Sequence, residues 1–367
     1  MNQKMIHASI AITACLVSGC ERLPEGPITP DGYRPPAPTQ ENVEKMAREA
    51  IRNMVFIEGG TYDMGNVVCF TDKQDELVEK YQIINIFCET EQFPVHRVTL
   101  DSFYLNKYEI SYYQYDLFTQ TVKRSFIKQD FLDPQWWKTR GETLEAVIEK
   151  FTDFRSNKTP AAVDWFQSRD YCRWLGAITG LPIDLPTEAQ WEYAARNRGQ
   201  DIPYATDNGK QELGRNYPAE NDHNLKTIDS HPPNPLGLHH MSGNVSEWVL
   251  DWYSEDYYTR SEKMNPKGPA MGTRKVKRGG DIDNSPSANH TFQRSSRNID
   301  YTHDQEAIKK YDFIKEGNAS SSHGARCAIH LAEPIDIDNL KIDLTRPAPD
   351  SRAEWLATKD DQATTTK

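Results

Sequence analysis

Between Pro235 and Tyr253 the chain reads PLGLHHMSGNVSEWVLDWY, and this run restricts the fold more than any other. Gly243-Asn244-Val245 signals a turn, because glycine and asparagine accept the backbone that tight turns need. The Trp-Val-Leu-Asp-Trp-Tyr that follows is too apolar and aromatic for a surface loop. Glu247 lies between the two, beside Trp248. Three readings are open for it: a metal ligand, a catalytic group, or a buried acid tied into the turn, since a carboxylate out of water must be paired or hydrogen-bonded.

The chain has 367 residues, enough for one large domain or two ordinary ones. Its 43 basic and 54 acidic residues give a net charge of −11, which argues against a nucleic-acid partner. Lys4 followed by the apolar run Ala8–Val17 reads as a targeting segment, too short for a mature membrane span. It ends in Leu16-Val17-Ser18-Gly19-Cys20, which resembles the bacterial lipobox, in which the cysteine is lipid-modified and becomes the first residue. Residues 1–19 are then a signal peptide, and acyl chains on Cys20 hold a soluble domain to a membrane. Glu21 follows the cysteine where inner-membrane retention uses Asp, so the expectation is an outer-membrane lipoprotein facing the periplasm or the surface. Export leaves Cys69, Cys88, Cys172 and Cys327 in an oxidising compartment, an even number where disulfides persist.

Residues 20–53 read as the lipidated cysteine, a Pro-, Gly- and Thr-rich tether and a short amphipathic helix over Glu41–Met54. Val55–Gly65 predicts a strand, a Gly-Gly turn and a second strand, and Val95–Tyr108 predicts further strands. Val67–Gln92 reads as a polar insertion. Ser111 with Gln114, Asp164 with Gln167 and Thr187 with Gln190 each place a capping side chain three residues before a Gln, the signature of a helix start. In the second of these helices Tyr171, Trp174, Leu175 and Ile178 form one buried stripe, stopped by Gly180 and Pro182; in the third, Trp191, Ala194 and Ala195 form the inner face. Beyond Arg196, short strands and irregular backbone are expected. Residues 336–367 read as a polar tail, mobile from Thr345 on, and no repeat or second core is evident.

Several segments, in order, resemble the formylglycine-generating-enzyme-like, or sulfatase-modifying-factor, domain: FIEGGTYDMG, FPVHRVTLDSFYLNKYEIS, LPTEAQWEYAAR, GNVSEWV, KVKRGGD and GARCA. The resemblance covers roughly residues 54 to 332 and implies one domain over 54–335. The implied fold is α+β, with a C-type-lectin-like topology and little regular secondary structure. It also implies a structural disulfide between Cys172 and Cys327; Cys69 and Cys88, the remaining pair, suit a local bridge. The copper-dependent members bind metal with two cysteines, and thiolates suit Cu(I) because both are soft. Here the matching segment is FQRSSRN, Phe292–Asn298, with Arg294 near the place of a thiolate. The iron-dependent members use histidines and carboxylates on a separate helical domain, for which the stretch between Cys20 and Val55 is too short. His239 and His240 would point to opposite faces of extended backbone and suit one metal poorly.

In this family the GNVxEW turn often binds calcium. The carboxylate of Glu247 and the carbonyls of Gly243 and Val245 would supply its oxygens, with His240 where a further oxygen is usual. The other reading is Glu247 bonded within the turn. Arg278-Gly279-Gly280 matches the family, and Asp281, Asp283 and Asn284 after it suit a cation or a solvated loop. No catalytic residue is assigned, and calcium is the one cofactor in question. The expected function is non-catalytic: a lipid-anchored binding or assembly protein serving a protein partner in the cell envelope, as an accessory, regulatory or immunity component of a secretion or envelope system. The alternatives are a metal-dependent oxidoreductase of the formylglycine-generating type and a carbohydrate-binding lectin-like module.

Overall fold

The computed structural model describes residues 37–83, 88, 92–124, 158–220, 222, 224–282, 284, 289–299 and 322–365. The signal segment, Cys20, the tether up to residue 36, and Asp283 lie outside them. Helix α1 (Gln40–Arg52) begins where Thr39 accepts the Asn42 N–H at 3.2 Å. It buries Val43, Met46, Ala47, Ala50 and Ile51, an apolar stripe at helical spacing.

Strands β1 (Met54–Ile57) and β2 (Gly60–Met64) form where the sequence places them, but they do not pair with each other. β1 pairs antiparallel with β4 (Phe103–Asn106), and β2 pairs with β3 (His96–Leu100). The Gly-Gly step carries the chain from one sheet to the other. At Gly59 a Cβ would lie 2.3 Å from the Leu100 carbonyl oxygen, so only glycine allows this approach.

The insertion after β2 is less polar inside than its composition suggests. Helix α2 (Gln74–Tyr81) packs Leu77 and Tyr81 with Val67, Val68, Ile83, Ile202 and Phe292 into a small core of its own. Cys69 and Cys88 form a disulfide across it, with Cα atoms 5.6 Å apart.

All three capping boxes are present. Ser111, Asp164 and Thr187 begin α3 (Tyr112–Thr121), α4 (Trp165–Thr179) and α5 (Glu188–Ala195), and each Gln reaches back to the cap residue's N–H. α4 buries Tyr171, Trp174, Leu175 and Ile178 and stops at Gly180, whose φ is +72°. α5 differs from the sequence expectation: each of its eight residues is buried, so it has no outer face.

The remaining strands complete two four-stranded sheets. One has the order β1-β4-β10-β5, with β5 Ile183–Asp184 and β10 Ala328–Ile329. The other is β8-β7-β6-β9, with β6 Ser246–Trp252, β7 Arg274–Arg278, β8 Arg294–Asn298 and β9 His323–Gly324. β6 is covered on both faces. Trp248 joins a cluster with Trp165, Trp174 and Phe118, whereas Val249 joins another with Trp191, Tyr193 and Phe103. The single core expected from sequence is therefore divided, because alternate side chains of a central strand must serve opposite faces. The Cys172–Cys327 disulfide, with Cα atoms 5.5 Å apart, lies in the first cluster.

The C-terminal segment corrects the expectation of a mobile tail. Ile335, Ile337, Leu340, Ile342 and Leu344 pack against the first cluster, and α6 (Ser351–Thr365) follows. Trp355 meets Phe166 at 5.5 Å between ring centroids, and Glu354 pairs with Arg173 at 2.7 Å. The Asp residues interspersed in this stretch hide an alternation that buries its apolar side.

Candidate functional site

The family-like motifs converge on one layer of buried charge between β6 and α5. The turn before β6 is made as its residues require: φ is +99° at Gly243 and +64° at Asn244. Glu247, fully buried, accepts from Arg326 at 2.6 and 2.7 Å and from the Trp191 indole N–H at 2.8 Å. Arg326 also donates to the carbonyls of Asn106, Lys107 and His239. The GNVSEW and GARCA motifs thus meet as the two halves of one ion pair, with the indole of LPTEAQWEYAAR on its edge.

At the turn where the calcium reading placed Gly243, Val245 and Glu247, the carboxylate is engaged in an ion pair. Both carboxylate oxygens of Glu247 already serve a guanidinium, which carries the positive charge that calcium would bring. Among the three readings, the buried and paired acid is the one realised, although its partner is an arginine from a distant motif and not the turn itself. Asp281 is buried and bonded to Asn284 at 2.7 Å.

α5 supplies the next two acids. Glu188 binds Arg294 at 2.6 and 3.0 Å; Glu192 binds Arg278, and binds Arg196 at 2.8 Å. Glu192 also accepts the Gly65 N–H at 2.9 Å. The spacing of four puts Glu188 and Glu192 on successive turns of one helix, facing β7 and β8. Burial opposes the charge on Glu188, but Arg294 and Arg278 outweigh it and hold its carboxyl below the usual range. Arg294 also lies over the rings of Tyr258 and Tyr253, at 4.5 and 5.1 Å. Arg294, near which the resemblance put a thiolate, is thus a guanidinium clamped to a carboxylate. Cys69, Cys88, Cys172 and Cys327 are all in disulfides, so no thiolate remains among the described residues. These groups do not fit Cu(I).

The adjacent histidines do not point apart as extended backbone would require, because φ is +53° at His240. His239 contacts the His231 carbonyl at 2.9 Å and His240 the Thr227 carbonyl at 3.0 Å. Burial lowers His240 to about 3, leaving it neutral. Among the described residues no group of three or more His, Cys, Asp or Glu is arranged to hold a metal ion.

Other buried groups gave no clear sequence signal. Lys275 lies between Trp165 and Trp252, 4.1 and 3.7 Å from their centroids, and donates to the Leu250 carbonyl; burial lowers its amine to about 7. Glu109 accepts from Asn244 at 2.9 Å, while its second oxygen has no partner among the described residues. Burial raises Glu109 to about 8 against the pull of Arg326, and Glu247 adds to the rise. Glu109 and Lys275 lie inside FPVHRVTLDSFYLNKYEIS and KVKRGGD, segments that carry the family resemblance, and that is the one sign of them in the chain.

Comparison with known proteins settles the family. Residues 39–307 match the model of the sulfatase-modifying factor enzyme 1-like domain. The chain belongs to this family. It is 30% identical over 247 residues to the serine/threonine-protein kinase pkn1 of Chlamydia pneumoniae, covering 65% of this chain and 34% of that protein. It is also 30% identical over 225 residues to the formylglycine-generating enzyme of Mus musculus, covering 51% of this chain and 59% of the enzyme. It thus spans about a third of the first relative's length and three-fifths of the second's. The structure of PvdO from Pseudomonas aeruginosa superposes with a TM-score of 0.51 at 19% identity, over 76% of this chain and 94% of that one, and agrees in fold. The sulfatase-modifying-factor fold, mixed α+β, is thereby established for this chain.

Proposed function

We propose that this member of the sulfatase-modifying-factor family is a non-catalytic binding or assembly protein, held to the cell envelope through a lipid on Cys20. In this reading it serves a protein partner as an accessory, regulatory or immunity component of a secretion or envelope system. The observation that supports a non-catalytic role is that Cys69, Cys88, Cys172 and Cys327 are all held in disulfides, while Arg294, near which the resemblance put a thiolate, is buried against Glu188. The scaffold that shapes the domain is intact around that pair. A relative named as a kinase and another named as a formylglycine-generating enzyme match the same chain, which supports a module reused in different settings.

The test combines copper analysis of the purified chain with oxidation of a cysteine-containing peptide in added copper. We expect neither stoichiometric copper nor aldehyde. Both together would restore the enzyme reading. The anchor is tested separately: Cys20→Ala should release the protein from membranes, and unchanged fractionation without lipid at the N-terminus would refute it.

A further inference from the structure

A cleft of about 480 Å³ opens between α1, the end of β4 and the start of α3. Asn106, the last residue of β4, lines it and is only 5% exposed. Its main chain is fully used: the N–H donates to the Cys327 carbonyl at 3.0 Å and the carbonyl accepts from Arg326 at 2.9 Å. Its carboxamide has no hydrogen-bond partner among the described residues. A carboxamide offers two donors and an acceptor, and here they are open to the cleft with no group among the described residues to answer them.

The neighbouring groups repeat the pattern. Tyr108 and Tyr113 line the same cleft, and their hydroxyls take no partner among the described residues. The Tyr108 ring is held against His239, 4.9 Å between centroids. The side-chain oxygen of Gln114 is occupied in the α3 capping box, which leaves its NH₂ as a donor at the cleft. Charge at the rim cancels: Lys158 pairs with Asp229, and Lys45 stands one turn from Glu49.

These groups select against a charged ligand and against a peptide strand. β4 is an interior strand with β1 and β10 on either side, so no sheet edge opens here for an added strand. Met46 and Ile228 are the apolar aliphatic side chains in the lining, too few to anchor a peptide through apolar side chains. A neutral ring bearing several hydroxyls answers the carboxamide and the phenols as both donor and acceptor, and its C–H faces suit tyrosine rings. We propose that this cleft binds a neutral saccharide, with the Asn106 carboxamide and the Tyr108 and Tyr113 side chains as its recognition groups. The proposal is independent of Arg294 and stands whether or not the chain is catalytic.

The full-length chain, purified in a detergent free of sugar, is to be tested by saturation-transfer NMR with maltotriose, cellotriose and chitotriose. Each is used at about 10 mM, which largely fills a site with a Kd near 1 mM. Transfer to at least one is expected, with affinity falling at least about tenfold in Asn106→Ala and in Tyr113→Ala. Thermal melts check folding; should Asn106→Ala unfold because it ends a core strand, the half-buried Tyr113 still decides the question. No transfer from any of the three would overturn the proposal, as would undiminished binding in the folded variants. Binding of end-capped trialanine in place of the saccharides would also overturn it and assign the cleft to a peptide.

Discussion

Glu188 and Arg294 show what a buried charge requires of its surroundings. Each is about 1% exposed, and each is the other's bidentate partner. Removing one leaves the other charged in a place that water cannot reach. We expect Arg294→Met to cost about 3–5 kcal/mol in chemical denaturation, and Glu188→Gln combined with it to recover much of that loss. Unchanged stability in Arg294→Met would show that the pair is not held as described. Glu109 gives a pH dependence of opposite origin. Its folded value, near 8, lies above the ordinary carboxyl value of 4.5. The folded chain therefore holds a proton there that the unfolded chain releases, and stability falls as pH rises between those values. The contribution is complete below about 4.5 and gone above about 8. Glu109→Gln should flatten this decline, measured as denaturation midpoints between pH 5 and 8.5; an identical slope in the variant would rule Glu109 out as its source.

At the scale of elements, α5 and α6 carry contrasting lessons. α5 is short and buried on every side, so its ends must be satisfied from outside the helix. Thr187 accepts the Gln190 N–H at 3.2 Å, and Asp251 accepts the Glu188 N–H at 2.8 Å. Thr187→Ala should cost about 1 kcal/mol, read as a shifted denaturation midpoint. α6 is held from outside as well, by Trp355 on Phe166 and by Arg352 with Asp164 at 2.9 Å. Trp355→Ala is expected to cost about 1–2 kcal/mol, since the indole is only partly buried. No change in the midpoint would mean that the helix is not docked.

Across the whole molecule, the two disulfides differ in how much chain they close. Cys172–Cys327 spans 155 residues and ties α4 to the segment leading into β10, whereas Cys69–Cys88 spans 19 within one insertion. In the chain-entropy model the first restricts the unfolded chain by about 5 kcal/mol and the second by about 3 kcal/mol. The Cys172→Ala/Cys327→Ala double variant should therefore lose more stability than Cys69→Ala/Cys88→Ala, compared in the same denaturation experiment. The reverse order would place the main constraint in the insertion. The longer bridge also joins α4 to the strand beside Arg326, so its loss is expected to loosen the Glu247–Arg326 pair.

Local patterns were legible in the chain because their causes are local. A capping side chain and a Gln three residues apart satisfy the same helix end in any context, and all three boxes formed where their residues stand. Apolar periodicity gave the α4 stripe, Gly-Asn gave the turn, and the motifs gave the fold through resemblance. What Glu247 does was not legible. Its partner, Arg326, is 79 residues away, and nothing in the chain's local spacing distinguishes a carboxylate awaiting calcium from one awaiting an arginine. The separation of β1 from β2, the docking of residues 335–344 and the open carboxamide of Asn106 share that origin. Each depends on which surfaces meet once the chain is closed, and pairing between distant segments is decided by packing and desolvation in three dimensions.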